Sequence, residues 1–354
     1  MGLMKSINIK TQNESYDVII GRGVLSLTGE LLSRRIKSRK AMLVCDDVTA
    51  SLFSGTVTAS LRASGFDVST FIFPHGEANK TWSTAGSILE AASGANLTLG
   101  DFFIALGGGV CGDITGFAAA VYMRGVTFVQ IPTTLLAAVD ASVGGKTGVD
   151  LGTGKNLAGA FHQPECVLID PDVLKTLPEA QIDEGKAEIV KHAVLAGGRL
   201  YEIASRGALL DDLDEVVALN VKIKRDYVEA DPCDTGCRQL LNFGHTIGHA
   251  IEKCSNYTIP HGKAVAMGMA AETKAFIKLY NEKSKIFEII QILLEKNSIK
   301  FDNPYTAKEL VQAAIHDKKI ADGNLNIIAP LGIGNCQLKS IPISRLEEYI
   351  AAGV

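Results

Sequence analysis

The chain has 354 residues, 47% of them apolar and 21% charged, with a net charge of −4 and a pI near 6. That length allows two domains with buried cores, and the composition excludes a disordered chain. The mild acidity excludes a general electrostatic pull toward nucleic acid or an anionic membrane. The opening MGLMKSINIK lacks the apolar stretch of a signal peptide, and the runs GFAAAVYM and AVAMGMAA are shorter than the roughly 18 residues that span a bilayer. Neither a nucleic acid nor a membrane is therefore expected as a partner. Seven cysteines lie scattered with no CxxC pair, so free thiols in a reducing cytosol are expected; Cys233 and Cys237 could form half a metal site, but no second pair accompanies them.

In chain order, strand-like segments are INIK, YDVII, AMLVC, DVSTFIF, FFIAL, TFVQI and VLID. Helical stretches such as 48–63 and 82–93 lie between several of them. Strands alternating with helices predict βαβ units and a mainly parallel sheet. After Pro171 the pattern changes. Helices are predicted from 178 onward and near 213–229, 239–254, 262–281, 283–297 and 306–316, with only NIIAP and the CQLKS region extended. The expected plan is an α/β domain over residues 1–177 and a mostly α-helical domain over 178–354.

The strand ending at Leu106 runs straight into Gly107, Gly108, Gly109 and then Gly112 and Asp113. Glycines there let backbone N–H groups approach phosphate oxygens at the start of the next helix. The usual dinucleotide fingerprint needs an acidic residue about 20 positions later, and none is suitable. Asp46 and Asp47 do end an earlier strand, so a dinucleotide lying across both loops in an unusual order is one reading; a tight strand–helix turn is the other. Lys146 and Lys155 tempt toward a phosphate-binding P-loop, but Asp140 and Val149 occupy the positions that loop gives to glycine. Two glycine-flanked lysines still suit a phosphate or carboxylate.

Three of the seven histidines, His245, His249 and His261, fall within 17 residues. His245 and His249 are i, i+4 and share a helix face, the spacing with which two imidazoles can hold one divalent metal. A carboxylate would complete three protein ligands, and Glu188 is the best candidate, sharing a helix face with Lys191. Asn242 and Arg238 stand just upstream.

Taken together, the blocks GEANK (76–80), LGGGVCGDITGF (106–117), the run 123–150, GKNLAGAFHQP (154–164), AEIVK (187–191), RQLLNFGHTIGH (238–249), HGKAVAMGM (261–269) and DKK (317–319) resemble the 3-dehydroquinate synthases, a sugar-phosphate cyclase family. The resemblance runs from about Asp46 to Pro330. It implies an N-terminal NAD-binding domain and a C-terminal domain holding Zn²⁺ or Co²⁺ through Glu188, His245 and His261. It implies that NAD meets Asp46, Glu77, Lys80, Gly107, Gly108, Gly109, Asp113, Thr133, Thr134, Leu174 and Thr176, with Asp140, Lys146 and Lys155 nearby. Lys146, Lys155, Asn156, Lys191, Arg238, Asn242, His249 and one of Lys318 or Lys319 would surround a small sugar-phosphate substrate. Arg124 would act from a partner subunit or a neighbouring loop, and a homodimer is expected.

The chemistry so implied is transient oxidation of a heptulosonate phosphate, elimination of phosphate, re-reduction and an intramolecular aldol closure, with no net redox change. Ala138 and Ala141 stand where the family often has polar residues, and Asp183 and Glu184 precede Gly185 where a small residue is usual. Neither departure removes a proposed ligand or substrate contact, so activity is expected to survive. Competing readings are a cyclase for another sugar phosphate, a metal- and NAD-dependent polyol dehydrogenase, and a non-catalytic NAD-binding protein.

Overall fold

The computed structural model describes residues 4–12, 14–314, 320–321 and 323–354. The chain divides into two compact units, Met1–Leu177 and Pro178–Val354. Among the described residues no helix is long and apolar enough to cross a membrane.

The first unit is built on strands β1 (Lys5–Lys10), β2 (Ser15–Ile20), β3 (Lys40–Asp46), β4 (Asp67–Phe73), β5 (Phe102–Gly107), β6 (Thr127–Pro132), β7 (Lys146–Leu151), β8 (Gly154–Phe161) and β9 (Cys166–Ile169). Its helices are α1 (Thr28–Ser33), α2 (Asp47–Thr49), α3 (Gly55–Ala63), α4 (Trp82–Gly94) and α5 (Gly109–Val121). Seven strands form one sheet in the order β1-β2-β9-β6-β5-β3-β4, parallel throughout except for β1 against β2. These seven are the seven apolar runs read from the sequence. Every residue of β5 and β9 is buried, as expected for strands covered on both faces. Met42, Val44, Phe103 and Ala105 of the sheet pack with Ile88 of α4 and Ile114 and Phe117 of α5. The hairpin β7–β8 is an addition to the sequence reading, which saw only glycines and lysines there.

The sheet order reverses at β3. The chain passes from β3 outward to β4, then crosses back to place β5 on the other side of β3. Ligands of open parallel sheets bind outside the carboxyl ends of the strands at such a switch point. Here those ends carry Asp46 and the Gly107–Gly109 run.

The second unit holds helices α6 (Glu179–Ala196), α7 (Gly198–Ser205), α8 (Leu213–Ala230), α9 (His245–Cys254), α10 (His261–Tyr280), α11 (Ile286–Lys296), α12 (Ala307–Ala314) and α13 (Leu346–Gly353). A small antiparallel sheet, β10 (Ile320–Ala321), β11 (Asn324–Gly332) and β12 (Asn335–Pro342), completes it. Helix α10, continuously buried from Ala264 to Thr273, is the axis, packed against α6, α9 and α13. The helix expected over 239–254 is broken: a 3₁₀ turn, Cys237–Asn242, ends before Gly244, whose φ of 80° restarts the chain as α9. His245 and His261 are consequently the first residues of two adjacent helices.

Candidate active site

In the first unit, Asp46 caps α2: Oδ1 accepts from the Thr49 N–H at 2.7 Å and Oδ2 from the Thr49 hydroxyl at 3.0 Å. Facing it, a Cβ added at Gly107 would sit 2.5 Å from Cβ of Cys111 and 3.5 Å from Oδ2 of Asp46. One at Gly108 would meet Thr134 Cγ2 at 2.9 Å. The Gly107 carbonyl accepts from the Thr133 N–H at 2.9 Å. Side chains are thus kept out of the first turn of α5, whose N-cap, Gly108, has none to offer. Main-chain N–H groups at a helix N-terminus opposite a carboxylate suit a dinucleotide's pyrophosphate and a sugar hydroxyl respectively.

Below this turn lies a charged network. Lys80, 5% exposed, places Nζ 2.6 Å from Asp113 Oδ2 and against the side-chain oxygen of Asn156. Burial pulls the ammonium pKa down, but Asp113, with Glu77 and Asp150, outweighs it and holds Lys80 above its ordinary value. Lys155 reaches Glu77 at 3.3 Å. Asn156, held at φ 52°, donates its N–H to Asp150 at 2.7 Å. Glu77, Lys80, Asp113, Lys155 and Asn156 therefore form one cluster; Asp150 belongs to it and was not among the residues singled out in the sequence.

Elsewhere in this unit, Asp140 lies on the π-helical turn Ala137–Ala141 and Lys146 opens β7. Leu174 is buried on the 3₁₀ turn after β9, and Thr176 there donates to the Val173 carbonyl. Arg124 is exposed at φ 70°, right after Met123 at φ 47°, and among the described residues it makes no hydrogen bond or ion pair with the other candidates.

In the second unit, Glu188 of α6 is fully buried, with Oε1 3.5 Å from His261 Nε2 and 3.7 Å from His245 Nε2. Its other oxygen is ion-paired with Lys191 one turn on, itself 1% exposed. His245 Nδ1 lies 3.2 Å from the Phe243 carbonyl, and His261 Nδ1 lies 3.2 Å from Glu252 Oε2. Both Nδ1 atoms thus have acceptors, which leaves the two Nε2 lone pairs for a metal. His249 packs edge-on to His245, but its side chain is the most open of the three, 40% exposed against 12% and 28%. Arg238, nearly fully buried, is held by its N–H to Asp231 at 3.1 Å and by Nη1 to the Pro232 carbonyl at 2.8 Å. Asn242, half-buried, ends the same 3₁₀ turn. Lys318 and Lys319 lie outside the described residues.

A family model described as 3-dehydroquinate synthase N-terminal matches residues 70–184, and its C-terminal counterpart matches residues 185–320. The chain belongs to the 3-dehydroquinate synthase family. It is 40% identical over 352 residues to the 3-dehydroquinate synthase of Latilactobacillus sakei, covering 98% of each chain. It is 38% identical to that of Streptococcus gordonii, covering 97% of this chain and 99% of the relative. Among solved structures, a 2-deoxy-scyllo-inosose synthase complexed with carbaglucose-6-phosphate, NAD⁺ and Co²⁺ superposes with a TM-score of 0.89 at 25% identity, covering 99% of this chain and 100% of that one. A 2-epi-5-epi-valiolone synthase from Streptomyces hygroscopicus, with NAD⁺ and Zn²⁺ bound, shares the fold at a TM-score of 0.85 and 24% identity, covering 96% of both.

The residues present fit the two groups such enzymes use. Ligand atoms about 2.1 Å from one tetrahedral ion stand about 3.4 Å apart, close to the 3.5 and 3.7 Å found around Glu188 Oε1. Zn²⁺ and Co²⁺ both accept this donor set of one carboxylate and two imidazoles. The glycine cradle under Asp46 fits a dinucleotide. Two carboxylates at the metal centre escaped the sequence reading. Glu252 faces His261, and Glu272, 1% exposed on α10, accepts the N–H groups of Gly244 at 3.0 Å and Ile247 at 3.1 Å. The only signal for either was an acidic residue on the apolar face of a helix.

Without metal, His261 holds a proton. Burial works against its imidazolium, but Glu188 and Glu252 outweigh this and the pKa is pushed up to about 10. A raised pKa means this group's contribution to the stability of the metal-free protein is complete below about pH 6.5 and is lost as pH rises through about 10. A metal must displace that proton. Metal uptake at pH 8 is accordingly expected to release about one proton per chain from His261, with apparent affinity rising about tenfold per pH unit toward pH 10. Calorimetric titration in buffers of different ionisation enthalpy measures the release, and uptake with no proton released would contradict it.

Proposed function

We infer that this chain catalyses 3-dehydroquinate synthesis, the carbon–oxygen lyase reaction that converts 3-deoxy-D-arabino-heptulosonate 7-phosphate to 3-dehydroquinate and phosphate in the shikimate pathway. The observation that carries this is the 40% identity to a 3-dehydroquinate synthase, sustained over 98% of both chains. NAD and Zn²⁺ or Co²⁺ are the cofactors; when bound they supply a reversible hydride acceptor and a Lewis acid for the substrate's C5 hydroxyl.

The chain's own residues are assigned as follows. Glu188, His245 and His261 hold the ion through Oε1 and the two Nε2 atoms. Asp46, the Gly107–Gly109 turn, Thr133, Thr134 and the Lys80 cluster hold NAD, with Leu174 and Thr176 contributing from their turn. His249, next to the ligands yet open, is placed to take and return the proton of the C5 hydroxyl. Lys191 and Arg238, preorganised by Glu188 and by Asp231 and Pro232, present cations in a buried setting where they hold the substrate's phosphate and carboxylate strongly. Lys146, Lys155, Asn156, Asn242 and one of Lys318 or Lys319 complete the substrate contacts. Asp140 serves the same cofactor and substrate region. The working form is a cytoplasmic homodimer, in which Arg124 reaches a neighbouring site. Residues 1–177 form the NAD-binding domain and 178–354 the domain that holds metal and substrate.

The test is to supply the heptulosonate phosphate with catalytic NAD⁺ and Zn²⁺ or Co²⁺. Phosphate and 3-dehydroquinate are expected in equal amounts, with NADH remaining at trace level. Phosphate without 3-dehydroquinate, or NADH accumulating in step with substrate, would overturn this reading.

A further inference from the structure

We infer that Glu252 is a positioning residue for the metal centre: it holds His261 in the tautomer that presents Nε2 to the ion, and it makes that imidazole the stronger donor of the pair. Glu252 lies on α9 two turns after His245, so it projects from the same helix face, and it is 2% exposed. Its Oε2 is 3.2 Å from His261 Nδ1 and 4.0 Å from His249 Nε2, so the hydrogen bond goes to His261. A carboxylate beyond a ligating histidine fixes the ring and raises its basicity. The corresponding nitrogen of His245, Nδ1, lies 3.2 Å from the neutral Phe243 carbonyl. The two histidine ligands thus differ in their outer partners, one anionic and one neutral.

The main chain of the same residue organises the segment that delivers His261. The Glu252 carbonyl accepts from the Ser255 hydroxyl at 2.8 Å and from the Tyr257 N–H at 2.8 Å. Ser255 Oγ in turn accepts from the Ile259 N–H at 3.1 Å. Between them, Asn256 and Tyr257 are held at φ of 49° and 61°, a left-handed conformation that costs side-chain-bearing residues energy and persists only where neighbours impose it. Glu252 therefore fixes His261 twice, at the backbone before α10 and at the ring itself.

This inference rests on Glu188, His245 and His261 being the ligands, and the experiment separates the two. Co²⁺ affinity is measured on the full-length wild type, Glu252→Gln, Glu252→Ala, His245→Ala and His249→Ala, with visible spectra of the Co²⁺ forms and ¹⁵N spectra of the histidines. Glutamine keeps an acceptor without the charge, so affinity is expected to fall about tenfold in Glu252→Gln and about a hundredfold in Glu252→Ala. The Co²⁺ spectrum should shift, and the Nδ1–H signal of His261 should be lost in Glu252→Ala. A residue that only stabilised the fold would change the melting temperature and leave the Co²⁺ spectrum alone. Wild-type affinity and spectrum in Glu252→Gln and Glu252→Ala would overturn the inference while leaving the ligand set intact. Complete loss of metal from Glu252→Gln at saturating Co²⁺ would make Glu252 a ligand and overturn it as well. Metal retained at wild-type affinity by His245→Ala would instead refute the ligand set.

Discussion

Glu188→Gln is expected to emerge from purification without metal and to lose turnover by more than about a thousandfold, which corresponds to about 4 kcal/mol of transition-state stabilisation. One carboxylate oxygen lies within 3.7 Å of both histidine Nε2 atoms, while the other is paired with Lys191. Glutamine has nearly the same volume, so packing is kept and the change is one of charge. That single change removes the anionic ligand and weakens the compensation of a buried ammonium. Breaking a buried pair from one side typically costs about 3–5 kcal/mol, so a fall in melting temperature should accompany the loss of metal. Elemental analysis of the purified variant and the phosphate-release assay check the two halves of the expectation. His249→Ala is the control: it should lose turnover and keep its metal, because its more open ring lies outside the Glu188 group. A metal-loaded, active Glu188→Gln enzyme would refute the ligand assignment.

The sheet was legible because its central strands, β3, β5, β6 and β9, are short, near-continuous apolar runs, the pattern that burial on two faces demands, while β1 and β4 alternate buried and exposed residues as edge strands do. The β7–β8 hairpin was not. Gly148 and Gly159 face each other across it, and a Cβ on Gly159 would lie 2.3 Å from the Thr147 carbonyl. Close backbone approach selects glycine there and removes the propensity signal a strand reading depends on. The switch point was half legible: the sequence showed an acidic strand end and a glycine-rich strand end, but only the strand order β4-β3-β5 makes them neighbours.

At the metal centre, spacing alone paired His245 with His249. The helix that made them partners does begin at His245, yet the second imidazole facing Glu188 belongs to His261, sixteen residues on and at the head of a different helix. Family resemblance supplied that assignment; periodicity could not, because it reports one helix at a time. Glu252 and Glu272 were missed for the same reason. On a helical wheel each is an acidic residue on an apolar face, which marks it as unusual without saying what it meets, and only tertiary packing turns one toward His261 Nδ1 and the other onto the N-terminus of a neighbouring helix.

Gly268→Ala is expected to be the most destabilising single-methyl change in the second unit, by about 3 kcal/mol or more, and to weaken metal binding with it. An added Cβ at Gly268 would lie 1.9 Å from the Gly244 carbonyl oxygen and 2.9 Å from the Gly248 nitrogen. Both are main-chain atoms of the α9 start, so no side chain can swing aside. The contact cannot open freely either, because Glu272, one turn along α10, holds the N–H groups of Gly244 and Ile247. Gly244 has no side chain to cap its own helix, so α10 caps α9 from outside, and the same clamp sets His245 against His261. Forcing the helices apart therefore moves one ligand relative to the other. For a unit of this size each kcal/mol lowers the melting temperature by roughly 2–4 °C, so a drop of about 6–12 °C is expected, with Co²⁺ affinity falling alongside. Gly86→Ala, on α4 with open space around the added Cβ, is the matched control and should be neutral or slightly stabilising. Equal melting temperatures for the two variants would show that the α9–α10 contact yields without cost, and the clamp would then have no part in placing the histidines.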